Sequence, residues 1–155
     1  MKMKINAFAL GLLLAFSSLA HAQINLKSLE NEADSVVKSE SYGPLLTKLG
    51  SAIKPTATTP EFSTKKTSWL ASAKKAVTAA EASKLLSELV AGMKSTAFTS
   101  AWSTVKDKWF SSAKTTTTTG GLKSLASQLT QNLNTSSFNS TTEKSEVESL
   151  ISALK

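Results

Sequence analysis

The sequence has no cysteine and no arginine, and its 155 residues include a single histidine, His21. His21 lies in a segment that we expect to be removed before folding. Without a thiol, an imidazole or a guanidinium, the folded chain has no cysteine nucleophile, Ser-His-Asp triad, Cys/His zinc site or bidentate guanidinium clamp. The composition therefore predicts a protein that is not an enzyme and that needs no cofactor or metal. A hydrophobic content of 41% with only 3 prolines and 6 glycines is typical of a globular domain.

The first 22 residues have the three parts of a secretory signal peptide. Lys2 and Lys4 give a positively charged N-terminal region, and an apolar run follows at 5–16. Residues 20–22 have the small-residue pattern of a cleavage site. The apolar run is shorter than the roughly 20 residues that a membrane-spanning helix needs. We therefore expect cleavage before Gln23 and one domain at 23–155, located in the periplasm or secreted.

The chain resembles itself at a spacing of 40 residues. When 62–74 is aligned with 102–114, seven of thirteen positions are identical, and Trp69 falls on Trp109. Leucines further along align at the same spacing in three copies, as Leu45, Leu85 and Leu125 and as Leu49, Leu89 and Leu129. A 40-residue period of this kind indicates a repeat architecture.

Each copy predicts two helices, because apolar residues recur at helical spacing and strict alternation is absent. The predicted helices lie near 26–40, 44–54, 61–77, 80–95, 101–114, 121–133 and 141–154. The threonine tract 115–119 and the two glycines after it predict a loop. The fold class is therefore all-α: three αα-hairpin repeats of about 40 residues and a closing C-terminal helix. The sequence leaves open whether these form a short solenoid or a compact helical bundle.

Aromatic and basic side chains give a candidate ligand or partner surface. Its members are Trp69, Trp102, Trp109, Phe98, Lys66 and Lys106. Such rings can stack on sugars or nucleobases, but their helical spacing is more typical of a buried core.

Without the signal segment, 16 lysines and 11 acidic residues give a net charge of +5. The lysines are dispersed, which does not favour nucleic-acid binding. We therefore expect an exported, soluble, non-catalytic binding or structural protein of the bacterial envelope or exterior. Its partner would be a protein or an envelope polymer, and the partner's identity and the oligomeric state stay open.

Two alternative functions remain. One is a cationic helical protein that is membrane-peripheral or membrane-active, since helices bearing lysine and tryptophan suit membrane surfaces. The other is a hydrolase that uses carboxylates alone. Acidic residues cluster at 30–34 and 143–148, but both clusters lie near predicted helix N-termini, where they complement the helix dipole without any catalytic role.

Overall fold

Helices dominate residues 42–155, the part of the chain that the computed structural model describes. We number the described helices α1 (42–52), α2 (Pro60–Lys75), α3 (Ala79–Ala91), α4 (Trp102–Thr115), α5 (Thr119–Asn132) and α6 (Thr141–Ala153). Short 3-10 turns follow α1, α3 and α5, and we call them linker turns 1, 2 and 3: Pro55–Ala57, Ser95–Ala97 and Thr135–Ser137. This part of the chain is therefore all-α, as predicted.

The expected signal peptide, its cleavage site at Gln23 and the predicted helix at 26–40 lie outside the described residues. Within 42–155, no helix is both long enough and apolar enough to cross a membrane.

The helix starts follow from side-chain caps that are visible in the sequence. Thr59 caps α2, where its hydroxyl accepts the backbone N–H three residues on at 3.3 Å. Thr78 and Glu81 form a reciprocal capping box at α3, with bonds of 3.2 and 3.1 Å. At α6, the hydroxyl of Ser140 accepts the N–H of Glu143 at 3.1 Å. Each cap satisfies a donor that would otherwise have no partner in the first turn.

The predicted loop before α5 is too long at both ends, because Thr115 is the last residue of α4 and α5 begins at Thr119, two residues before the predicted start at 121. Thr118 is the N-cap and its hydroxyl accepts the N–H of Gly121 at 3.1 Å, so the first turn is stabilised by its cap. The remaining loop is the short extended stretch at 116–118. The cap thus outweighs the poor helix propensity of two glycines.

The segments that contain the three linker turns pair with one another through backbone hydrogen bonds. Isolated antiparallel bridges join Thr58 with Met93, Phe98 with Leu133 and Phe138 with Ile53. Beside each bridge, a backbone N–H donates to a carbonyl at 2.8 Å: Thr59 to Gly92, Thr99 to Asn132, and Asn139 to Ala52. The third pairing returns to the first segment, so the three segments form a closed cycle at one end of the helices.

The core between the helices is built from leucines and three buried tryptophans, Trp69, Trp102 and Trp109. The leucines of α1, α3 and α5 are almost fully buried, and α3 packs against α2, α4 and α5. The indole N–H of Trp69 donates to the carbonyl of Leu85 at 3.0 Å, and that of Trp109 donates to Leu125 at 2.9 Å. A buried indole needs such an acceptor, so these bonds fix how α2 meets α3 and how α4 meets α5.

The contact between α6 and α1 includes an ion pair, whereas α2 with α3 and α4 with α5 are joined by a tryptophan hydrogen bond. The position in α6 that corresponds to Trp109 at 40-residue spacing is Ser149, which is exposed. Val147 and Ile151 are the buried residues of α6, α6 packs against α5, and Glu146 of α6 pairs with Lys48 of α1. The two charged side chains are 51% and 33% exposed, so this ion pair contributes little to stability.

Candidate binding groove

A first groove lies between α2 and the C-terminal half of α3, with a volume of about 710 Å³. Its floor contains the rings of Phe62 and Trp69, which meet edge to face with centroids 5.9 Å apart. The backbone at Gly92 makes room for the first ring, since a Cβ there would come within 2.3 Å of it. The groove floor thus depends on a glycine immediately after α3.

The rim of the first groove carries charged and hydroxyl groups. Glu61, Lys65 and Glu88 line it together with Ser68 and Ser72. The two serine hydroxyls donate to backbone carbonyls of α2, at 2.8 and 3.2 Å, which leaves their lone pairs as acceptors. The pKa of Glu61 lies below its usual value because its carboxylate accepts hydrogen bonds from its own backbone N–H and from the hydroxyl of Thr59. This carboxylate is therefore ionised at neutral pH.

A second groove lies on the other side of α3, between its C-terminus, the segment after linker turn 2 and α4. Its volume is about 510 Å³. Phe98 and Trp102 stack beside it, with centroids 4.8 Å apart and an angle of 9° between the rings. Lys106 lines the groove, and the Ser103 hydroxyl donates to a backbone carbonyl at 2.8 Å. This groove therefore combines an aromatic side with one ammonium group and serine acceptors.

The two grooves share Ala91, an exposed residue in the last turn of α3. A methyl group is thus the side chain at the ridge between them. We call the combined surface the double groove. Each half has the size usual for a ligand site, and the low ridge suits a ligand long enough to occupy both.

Four of the six site residues predicted from the sequence line the double groove: Trp69, Phe98, Trp102 and Lys106. Trp109 does not line it, since it is 1% exposed and its ring meets those of Trp102 and Phe110 edge to face. Lys66 lies apart as well. Its ammonium donates to the carbonyl of Ile53 at 3.3 Å, and partial burial lowers its pKa.

Sequence reasoning missed the acidic members of the site. It singled out the carboxylates at 143–148, of which Glu146 and Glu148 form ion pairs with lysines. The sequence does contain one signal for an acidic member, because the charge at one repeat position changes from copy to copy. Glu88 stands at the same 40-residue spacing as Lys48 and Gln128, so a carboxylate occurs at this position in one copy.

Among residues 42–155, no group of three or more His, Cys, Asp or Glu side chains is placed to hold a metal ion. Comparison of the chain with protein-family models, with curated proteins and with solved structures finds no match. The chemistry of the double groove is therefore the basis for a functional assignment.

Proposed function

We propose that the protein is an exported, non-catalytic binding or structural component of the bacterial envelope or exterior, and that the double groove is its binding surface. The observation that carries the binding part of this proposal is that two grooves with aromatic and polar lining residues share Ala91. The export part rests on the signal-peptide pattern of residues 1–22. Concave sites with apolar floors and a few polar groups are where proteins bind ligands.

The polar groups of the double groove suit binding better than catalysis. A carboxylate hydrolase needs a general acid whose pKa is raised so that it holds a proton at neutral pH. The pKa of Glu61 is shifted in the opposite direction. This carboxylate is therefore fitted to accept hydrogen bonds from a ligand.

We also propose that the architecture is three αα-hairpin repeats with a closing C-terminal helix. Several bonds recur at 40-residue spacing and support it. The indole of Trp69 donates to Leu85 and that of Trp109 donates to Leu125. The bond from the N–H of Thr59 to the segment before linker turn 2 has a counterpart from Thr99 to the segment before linker turn 3.

The alternative, a cationic protein that acts at or in membranes, requires apolar side chains on an accessible face. Trp69, Trp102 and Trp109 are instead 5%, 7% and 1% exposed. We expect little co-sedimentation of the mature protein with anionic vesicles at about 0.15 M salt, where surface charge is screened. Tight, salt-resistant binding accompanied by a further blue shift of tryptophan emission would favour the membrane alternative.

The binding proposal is tested by site-directed crosslinking in the native envelope. A photocrosslinker placed at Ser72, on the rim of the first groove, is compared with one at Ser112, its counterpart on α4 at 40-residue spacing. We expect a protein or polymer adduct from Ser72 that is lost when Ala91→Phe raises the ridge between the two grooves. Equal adducts from both positions, or from neither, would contradict the proposal.

A further inference from the structure

We infer that the ligand of the double groove is a neutral glycan chain long enough to lie across Ala91. The inference rests on the proposed function and adds the chemical class of the ligand. Three properties of the lining lead to it: an excess of hydrogen-bond acceptors, a balance of charge, and aromatic residues of which only a small part is exposed.

The lining of the first groove has more acceptors than donors. Ser68 and Ser72 already use their hydroxyl protons on backbone carbonyls, and Ser103 does the same in the second groove. Each hydroxyl thus offers lone pairs to a ligand. The carboxylates of Glu61 and Glu88 are acceptors as well. A complementary ligand must therefore bring many donors, as a polyol does.

The charges of the lining balance. Glu61 and Glu88 contribute two negative charges, and Lys65 and Lys106 contribute two positive charges. Elsewhere the folded chain has an excess of lysine, so the double groove is less positive than the protein as a whole. An anionic polymer or lipid has no preference for such a surface. An uncharged ligand with many hydroxyl groups fits it without leaving a charge unpaired.

The aromatic residues define how a sugar would contact the floor. Phe62, Trp69, Phe98 and Trp102 are between 5% and 9% exposed, so only a small part of each residue can contact a ligand. A single sugar therefore gains little from them. Binding should depend on occupying both grooves at once, in which case the second contact is intramolecular and raises the overall affinity.

Chain length is the first part of the test. The mature protein is titrated with cellohexaose, chitohexaose and glucose, and indole N–H resonances and intrinsic fluorescence are recorded. We expect at least one hexasaccharide to bind at least about tenfold more tightly than glucose, with shifts at Trp69 and Trp102 and little change at Trp109. Equal affinities for hexasaccharide and monosaccharide would contradict a ligand that crosses the ridge.

The second part uses matched variants. Ala91→Phe raises the ridge, whereas Gln131→Phe adds the same ring to α5 at the equivalent position 40 residues on, which is also exposed. We expect the first to weaken hexasaccharide binding at least about tenfold, since a tall ridge divides the two sites, and the second to leave it unchanged. Circular dichroism and urea unfolding of both variants establish that the fold is kept. Equal effects of the two variants would overturn the inference.

The charge of the ligand is the third part. Polygalacturonate serves as the anionic probe, and Glu88→Gln tests whether the carboxylate accepts bonds from the sugar. We expect neutral hexasaccharide binding to be weakened a fewfold by Glu88→Gln and to be insensitive to salt. Tighter, salt-dependent binding of polygalacturonate would overturn the inference.

The outcomes separate this inference from the proposed function. If neither hexasaccharide binds but the Ser72 crosslinker still yields an adduct that depends on Ala91, then the double groove binds another class of ligand and the glycan inference is wrong. If the crosslinker yields no such adduct and no hexasaccharide binds, both proposals fail.

Discussion

Replacing Trp109 by alanine should remove one of the largest single contributions to the stability of the helical domain. Its side chain is 1% exposed, and its ring meets those of Trp102 and Phe110 edge to face at centroid distances of 5.7 and 5.3 Å. Its indole N–H also fixes α4 on α5 through the carbonyl of Leu125. Truncation therefore leaves a cavity at the contact of two helices.

The magnitude follows from these contacts. Truncating a buried tryptophan to alanine costs about 3–5 kcal/mol through lost transfer free energy and a residual cavity. Trp109→Phe keeps an aromatic ring and loses the N–H donor together with part of the ring volume, so we expect a loss of about 1–2 kcal/mol. The Leu125 carbonyl lies within α5 and keeps its helical bond, which limits the cost of removing the donor.

Urea unfolding of the parent, Trp109→Ala and Trp109→Phe, followed by circular dichroism, measures these differences. Trp69→Ala is the companion variant. It should cost a similar amount, nearer the lower bound, because Trp69 is 5% exposed on the floor of the first groove. If Trp109→Ala unfolds within about 0.5 kcal/mol of the parent, as surface substitutions do, the ring does not form part of the core and the reasoning is refuted.

Three further predictions concern the ends and caps of the chain's elements. Gly120→Ala should stabilise the domain by roughly 0.5–1 kcal/mol in urea unfolding, since nothing lies within 4 Å of the added Cβ, whereas Gly121→Ala should gain less because its Cβ would come within 2.9 Å of the Thr116 side chain. Hydrogen bonds from the backbone N–H groups of Val77 and Thr78 hold the pKa of Glu81 below its usual value, so their contribution to stability is present above the unfolded pKa and is lost as the pH falls through the folded pKa. Glu81→Gln should therefore be less stable than the parent at pH 7, with a difference that shrinks as the pH falls through the folded pKa of Glu81, and a difference that does not change with pH would contradict the capping role. N-terminal sequencing of exported protein should begin at Gln23, and an intact Met1 would contradict the signal peptide.

The helices were predictable from the sequence because their signals are local. Apolar spacing predicted the described helices, and the N-caps that the structure shows at three of their starts, Thr59, Thr78 and Ser140, are residue types that favour this position. The start of α5 was predicted two residues too late because the low helix propensity of Thr119 and Gly120 was weighed without the cap that Thr118 provides. Helix ends were also overextended: the helix predicted at 80–95 ends at Ala91, where the backbone turns into the bridge with Thr58.

The candidate site was only partly predictable because it depends on contacts between helices. The sequence identified aromatic residues and lysines, but spacing alone cannot distinguish Trp69, on the floor of a groove, from Trp109 beneath the surface. Nor can it indicate that Ala91 forms a ridge, since that depends on how α2 and α4 pack on the two sides of α3. Grooves between helices arise from packing that periodicity does not encode.

The closed cycle of linker segments has a consequence for how fast the chain folds. In this cycle, the side-chain amide of Asn139 donates to the carbonyl of Ser51, which lies 88 residues earlier in the chain. Outside the cycle, the hydroxyl groups of Tyr42 in α1 and Thr119 in α5 form a hydrogen bond across 77 residues. Such contacts are far less local than those of an ordinary helical hairpin, and the chain entropy lost in closing them must be overcome before they stabilise anything. The helices should therefore form early and the closure late. In stopped-flow refolding, Asn139→Ala should accelerate unfolding while leaving the refolding rate nearly unchanged.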